Sequence, residues 1–191
     1  MGRRKRTDPV ARMTSGNFEG HEISGGHEIR LRRPIEDDYA GIAMTVDDWW
    51  DGKVVQGLLP RLWFRHFAGT SWIAERVDER GNLRIAGFLV GFVSQHIPDV
   101  GVIQAVGVDP NHRRSGIGTA LVERYLEDAR EAGMGTVETV IWPANRRGML
   151  FLAALGFLTD PDVDARPIYG VQAIAGYDFG TEDRARFTRR P

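Results

Sequence analysis

The stretch from Val102 to Ala132 constrains this chain more than any other. An apolar, β-branched run, Val102-Ile103-Gln104-Ala105-Val106-Gly107-Val108, ends at Asp109-Pro110 and reads as a strand. Arg113-Arg114-Ser115-Gly116-Ile117-Gly118 follows as a basic, glycine-containing loop. Leu121, Val122, Tyr125, Leu126 and Ala129 then recur at intervals of three and four, the spacing of one buried helical face. Gly133 is placed to close that helix with a left-handed cap. This order brings a helix N-terminus, with unpaired amides and a partial positive charge, to the end of a strand. Gly116 and Gly118 lack a Cβ, so a bulky ligand can approach the main chain there. The amides from Arg114 to Thr119 are candidates to wrap a pyrophosphate, with Arg113 and Arg114 adding charge at the rim. A surface turn with a solvated arginine pair would have the same composition.

A Walker loop needs Lys-Ser/Thr after its last glycine, and Thr119-Ala120 stands there instead. A dinucleotide fingerprint is met at Gly116 and Gly118, but its third position is Leu121. Glu138, in the next strand-like run, stands at about the roughly twenty-residue spacing of a ribose-binding acid. A nucleotide-binding reading therefore stays open.

Arg113-x-x-Gly116-x-Gly118, preceded by Val106-Gly107-Val108-Asp109-Pro110, resembles the acetyl-CoA signature of the GNAT N-acetyltransferase superfamily. Asn145 to Phe157, NRRGMLFLAALGF, looks like that family's second element, in the expected order and separation. The resemblance runs from about Glu28 to the C-terminus. It implies a three-layer α/β GNAT fold: a mixed, mostly antiparallel sheet splayed between two central parallel strands, here the Val102 and Thr136 strands, with helices on both faces. It implies acetyl transfer from acetyl-CoA, a cosubstrate, to a primary amine on a small molecule or peptide. Attack would be direct, in a ternary complex without a metal. The implied cofactor contacts are the main-chain groups of Val106 and Val108, facing the pantetheine arm, and the loop Arg113, Arg114, Ser115, Gly116, Ile117, Gly118 and Thr119. One of the strand amides would also polarise the thioester carbonyl. Asn145, well suited to N-cap the following helix, would also meet the cofactor. The family's usual tyrosine, a proton donor to the departing thiolate, aligns with Leu152, which has no proton to give. Either the thiolate leaves unaided, another residue serves, or the chain is a non-catalytic acyl-CoA-binding or regulatory module with the same fold.

Composition narrows the remaining classes. Hydrophobic residues make up 42% of 191, enough for a core in one domain. A net charge of −1 offers no global field for nucleic acid or an anionic membrane. With no cysteine, structural disulfides and cysteine-ligated metals are excluded, and the five histidines are scattered. No apolar run approaches the roughly 20 residues of a membrane span, and no secretory signal is visible. A cytoplasmic setting and a possible homodimer, common in the family, are the expectations.

Read in order, Met1–Gly26 is expected to be an unstructured leader, and residues 27–191 the N-acetyltransferase domain. The leader's Arg3-Arg4-Lys5-Arg6 run is the only feature that would touch nucleic acid, and no nucleic-acid partner is expected. Glu28–Arg33 reads as a strand, Pro34 as the N1 residue of a helix bearing Tyr39, Ile42, Ala43 and Val46. In Asp47-Asp48-Trp49-Trp50-Asp51-Gly52 the adjacent tryptophans cannot both lie on one buried face. Asp48, Trp49 and Trp50 form either an acceptor wall for a cationic amine or a packed tryptophan among solvated acids. A helix is expected over Val55–Ala68, a hairpin from Ser71–Val77 and Arg84–Gln95, and closing strands at Ile168–Ala175 and Arg184–Thr188. Gly107 marks a bulge or a close approach, and Met149, Leu152, Ala153 and Leu155 are expected core. An ammonium acceptor must lose a proton, and Glu138, Asp48, Asp99 and His96 are candidate bases. Gln104, where some family members carry an acid, cannot take that role. Tyr177 and Asp178 are either acceptor-facing or part of a structural turn.

Overall fold

Two apolar clusters flank one sheet, and side-chain alternation along the strands divides residues between them. The computed structural model describes residues 18–23, 27–53, 55–160, 162–178 and 182–191. In chain order the strands and helices are β1 Phe18–Ile23, β2 His27–Arg32, α1 Asp38–Trp49, α2 Leu62–His66, β3 Trp72–Val77, β4 Leu83–Val93, β5 Val100–Val108, α3 Ile117–Glu131, β6 Thr136–Ile141, α4 Arg146–Ala154, β7 Leu158–Thr159, β8 Arg166–Ile168, β9 Val171–Asp178 and β10 Glu182–Arg189. The sheet order is β1-β2-β3-β4-β5-β6-β10-β9-β8, with β7 on β10. Only β5 and β6 run parallel among these pairs, joined through α3. This is the mixed, mostly antiparallel three-layer arrangement that the resemblance implies.

On β3, Trp72 and Ala74 join the cluster covered by α3 and α4, while Ile73 joins the one covered by α1 and α2. The α3 stripe Leu121, Val122, Tyr125, Leu126 and Ala129 is buried, and Gly133 closes the turn at φ +78°. Tyr125 reaches across the sheet, its hydroxyl 3.0 Å from the carbonyls of both Phe92 and Val102. A Cβ at Gly91 would lie 2.6 Å from its ring, so Gly91 makes room for it. Burial pushes the Tyr125 phenol well above the usual tyrosine range. Periodicity did not mark two polar residues of α3 that are also buried, Arg124 and Asp128. The Asp128 carboxylate accepts from Trp72 Nε1 and Arg33 at 2.8 Å each and meets Arg124 at 2.8 Å. Burial raises its pKa, and the two arginines oppose that shift.

Five expectations need correction. Phe18–Ile23 pairs antiparallel with β2 and so is not unstructured leader; backbone ladder bonds need no apolar pattern to announce them. The rest of the expected leader, including Arg3–Arg6, lies outside the described residues. Helix α1 starts at Asp38 rather than Pro34, because the Asp38 carboxylate turns back onto the amide of Ile35 (2.8 Å) and the Arg32 guanidinium (2.7 and 2.8 Å). The Val55–Ala68 helix breaks into 3₁₀ turns at Gln56–Leu58 and Ala68–Thr70 around the short α2. Pro60 disfavours helical backbone in the residue before it, and Leu59 sits at φ −124°, ψ 56°. The Ile168–Ala175 strand is divided by a turn at Tyr169-Gly170, with φ +48° and +81°. Of the two readings of Gly107, close approach holds: its Cβ would lie 2.5 Å from the Phe88 ring and 2.8 Å from Trp50. Of the expected α4 core, Leu152 and Leu155 are buried, Met149 is half-buried and Ala153 is exposed.

Candidate active site

Strands β5 and β6 pair only from Val100↔Thr136 to Ile103↔Thr139. At that point β5 carries an extra residue against β4: the register passes from Gly91↔Ile103 to Val90↔Ala105, leaving Gln104 as the bulge. A bulge bends its strand, and beyond Gln104 strand β5 stays with β4 and parts from β6. Two cavities, of about 690 Å³ and 400 Å³, lie along this divergence and share Trp50, Val106, Trp142, Asn145, Gly148 and Phe151.

The larger cavity is built from the end of β5, the basic loop and the N-termini of α3 and α4. Val106, Val108, Arg113, Arg114, Gly116, Ile117, Gly118, Thr119 and Asn145 all line it, whereas Ser115 does not. The Ser115 hydroxyl donates to the His112 carbonyl at 2.6 Å and so shapes the loop from behind. Asp109 accepts the Asn111 amide at 2.8 Å to fold the preceding turn. Arg114 and Gly116 take left-handed backbone, φ +63° and +93°, which bends the loop sharply beside the cavity. The first turn of α3 adds amides without intrahelical acceptors. A Cβ on Gly118 would lie 3.2 Å from the Phe151 ring and 3.5 Å from Val108, so the glycine keeps this cleft open.

Asn145 caps α4, its Oδ1 accepting the Gly148 amide at 2.9 Å. Arg146 and Arg147 stand exposed in the first turn of that helix, beside the cavity. Cations at a helix N-terminus oppose the helix dipole, a placement that an anion in the cavity would relieve. That placement was available in the sequence, directly after the predicted cap, and was missed. Arg113 lines the larger cavity beside the end of α1. Its guanidinium donates to the Trp49 carbonyl and lies 3.4 Å from Asp51, which ties the basic loop to the end of α1 within the cavity wall.

The smaller cavity lies where β5 has left β6, and Val55, Leu58, Leu59, Phe92, Leu152 and Tyr177 give it apolar walls. Gln104, Glu138, Asp178 and Arg184 supply its charged and amide groups. Arg184 pairs with Asp178 at 2.5 Å and Glu182 at 3.2 Å. Trp142 stands between the cavities, with the cations of Lys53 and Arg184 at 4.6 and 4.7 Å from its ring. Trp50 lines both cavities and packs on Phe88 at 6.0 Å, while Trp49 is buried and stacks on the same ring at 5.9 Å. Asp48, His96 and Asp99 are exposed and line neither cavity. Glu138 lies in the smaller cavity, apart from the basic loop, and a single parallel strand pair is not a doubly wound dinucleotide fold.

Residues 31–157 match the Acetyltransferase (GNAT) family. The chain belongs to that family. It is 32% identical over 108 residues to the L-2,4-diaminobutyric acid acetyltransferase of Nocardia farcinica, covering 56% of this GNAT chain and 53% of that protein. It is 34% identical over 164 residues to the mycothiol acetyltransferase of Sanguibacter keddieii, covering 76% of this chain and 48% of that one. The chain thus spans about half the length of these relatives. A solved structure with the same fold is the diaminobutyrate acetyltransferase of Paenibacillus lautus in complex with its substrate L-2,4-diaminobutyric acid and coenzyme A. It has a TM-score of 0.60 and 22% identity, covering 87% of this chain and 96% of that one. Among the described residues of this GNAT protein, no helix is long and apolar enough to cross a membrane.

Proposed function

We propose that this GNAT chain transfers an acetyl group from acetyl-CoA to the primary amine of a small molecule, in a ternary complex. The divergence of β5 from β6 carries the reading, because it joins a cavity suited to a diphosphate to one holding a carboxylate. The residues of the larger cavity fit coenzyme A. The left-handed turn at Arg114 and Gly116, the open Gly118 cleft and the α3 amides suit its pyrophosphate, and Arg114, Arg146 and Arg147 suit its charge. The edge of β5 at Val106 and Val108, released from β6, offers main-chain groups to an extended arm. Acetyl-CoA, when bound, supplies an activated thioester.

The acceptor arrives as an ammonium ion and must lose a proton before it can attack. Glu138 lines the smaller cavity, and none of the hydrogen bonds and ion pairs among the described residues involves its carboxylate, so it suits the role of base. A C–N bond then forms as the C–S bond breaks, the nitrogen's proton passing to Glu138 directly or through water. Leu152 is buried and apolar and has no proton to give, so the departing thiolate takes its proton from another source. Leu152 also favours the second reading, an acyl-CoA-binding module without turnover. A small acceptor suits a cavity of about 400 Å³, and the names of the Nocardia and Sanguibacter relatives point to small molecules. Thiol release from acetyl-CoA, measured against a panel of primary amines, tests the proposal. Release that requires an amine supports transfer. Acetyl-CoA binding without release by any amine supports the module.

A further inference from the structure

Resting on the reading of the smaller cavity as the acceptor side, we infer that the acceptor is a monoamine with an apolar, ring-bearing body, an arylalkylamine rather than a polyamine or an amino acid. The inference comes from a charge inventory. Among the described residues the cavity is lined by two carboxylates, Glu138 and Asp178, and one cation, Arg184. Asp178 and Arg184 neutralise each other at 2.5 Å. The other face of the Arg184 fork is held by Glu182 at 3.2 Å and the Asp183 carbonyl at 3.1 Å. One carboxylate, Glu138, is left to meet a ligand, and it matches one ammonium.

A polyamine would bring a second cation with no second carboxylate to receive it. An amino acid would bring a carboxylate, and the guanidinium that could receive it is already engaged. Burying either charge unpaired is costly. The rest of the lining favours a ring. Trp50, Phe92, Trp142 and Tyr177 present aromatic surface, and Leu58 stands 42% exposed at the wall. Such surface rewards an apolar body placed beyond the reacting nitrogen.

The test compares 2-phenylethylamine, spermidine and L-2,4-diaminobutyrate on the full chain, as kcat/KM for CoA release and as calorimetric binding to the CoA-loaded protein. The expected result is a preference for 2-phenylethylamine of at least about tenfold in both readings. Equal or better use of spermidine or diaminobutyrate overturns it. Leu58→Asp, at an exposed wall position, adds the missing second carboxylate. It should move the spermidine-to-phenylethylamine ratio upward by about tenfold, and an unmoved ratio counts against the assignment. Should no amine release CoA, selective binding of 2-phenylethylamine would uphold the acceptor class while the transfer reading fails. Absence of that binding in CoA-loaded protein overturns the acceptor class.

Discussion

The guanidinium of Arg113 donates to the carbonyl oxygen of Trp49, tying the basic loop to the last residue of α1. The same arginine lies 3.4 Å from Asp51, in the turn that follows Trp50. Trp50 lines both cavities and fills the space beside Gly107. The arginine that opens the coenzyme signature thus positions the tryptophan wall.

Arg113→Gln should therefore weaken acetyl-CoA by less than about threefold, whereas loss of a direct charged hydrogen bond to phosphate, about 1.5–3 kcal/mol, would weaken it at least about tenfold. Tryptophan emission should shift to the red as Trp50 loosens. Calorimetry and fluorescence on the same sample check both.

Glu138→Gln keeps the shape of the smaller cavity and removes its proton acceptor. Amine-dependent thiol release should fall about 100-fold or more, with acetyl-CoA affinity unchanged. Steady-state kinetics with a saturating amine, beside a calorimetric titration, separate the two.

Asp128 is the anion between Arg33 and Arg124, and its side chain is 2% exposed. Asp128→Asn removes the buried charge that Arg33 and Arg124 share, while Arg124 keeps Glu127 at 3.6 Å and Arg33 keeps the Ser71 carbonyl at 3.2 Å. A loss of about 3 kcal/mol is expected, the lower end for removing one member of a buried ion pair, because both arginines keep other contacts. Urea denaturation at neutral pH measures it.

Tyr125 should make stability fall in alkali. Burial raises its folded pKa above the unfolded value. The unfolded chain then releases its proton first, and the folded state holds more protons. The contribution is complete below about pH 10, the ordinary tyrosine value, and is lost as pH rises beyond it. Urea midpoints from pH 8 to 11 should decline more steeply in wild type than in Tyr125→Phe. The chain has only two lysines, Lys5 and Lys53, so few other groups titrate there.

What was legible in the sequence was local. The strand, basic loop and helix between Val100 and Glu131, the glycine stop at Gly133 and the Asn145 cap each depend on residues within a few positions. The unread features depend on distant partners. Asp128 is buried because Arg33 and Trp72, 95 and 56 residues away, meet it. The smaller cavity draws on β5, β6, β9, β10 and the Val55–Leu59 turn, and no periodicity brings those together. The helix expected over Val55–Ala68 is broken at Leu59, whose backbone is restricted by Pro60 after it. The Trp49 carbonyl that Arg113 meets lies 64 residues back, beyond the reach of any local pattern.

The central claim is that the Arg114–Thr119 amides and the Gly118 cleft hold coenzyme A. Calorimetric titration of acetyl-CoA and NAD into wild type and Gly118→Trp tests it most directly, with circular dichroism confirming that both proteins are folded. The added side chain would begin 3.2 Å from the Phe151 ring and fill the cleft. The account predicts acetyl-CoA binding to wild type, none to Gly118→Trp, and none for NAD. Undiminished acetyl-CoA binding to folded Gly118→Trp, or a preference for NAD, would contradict it.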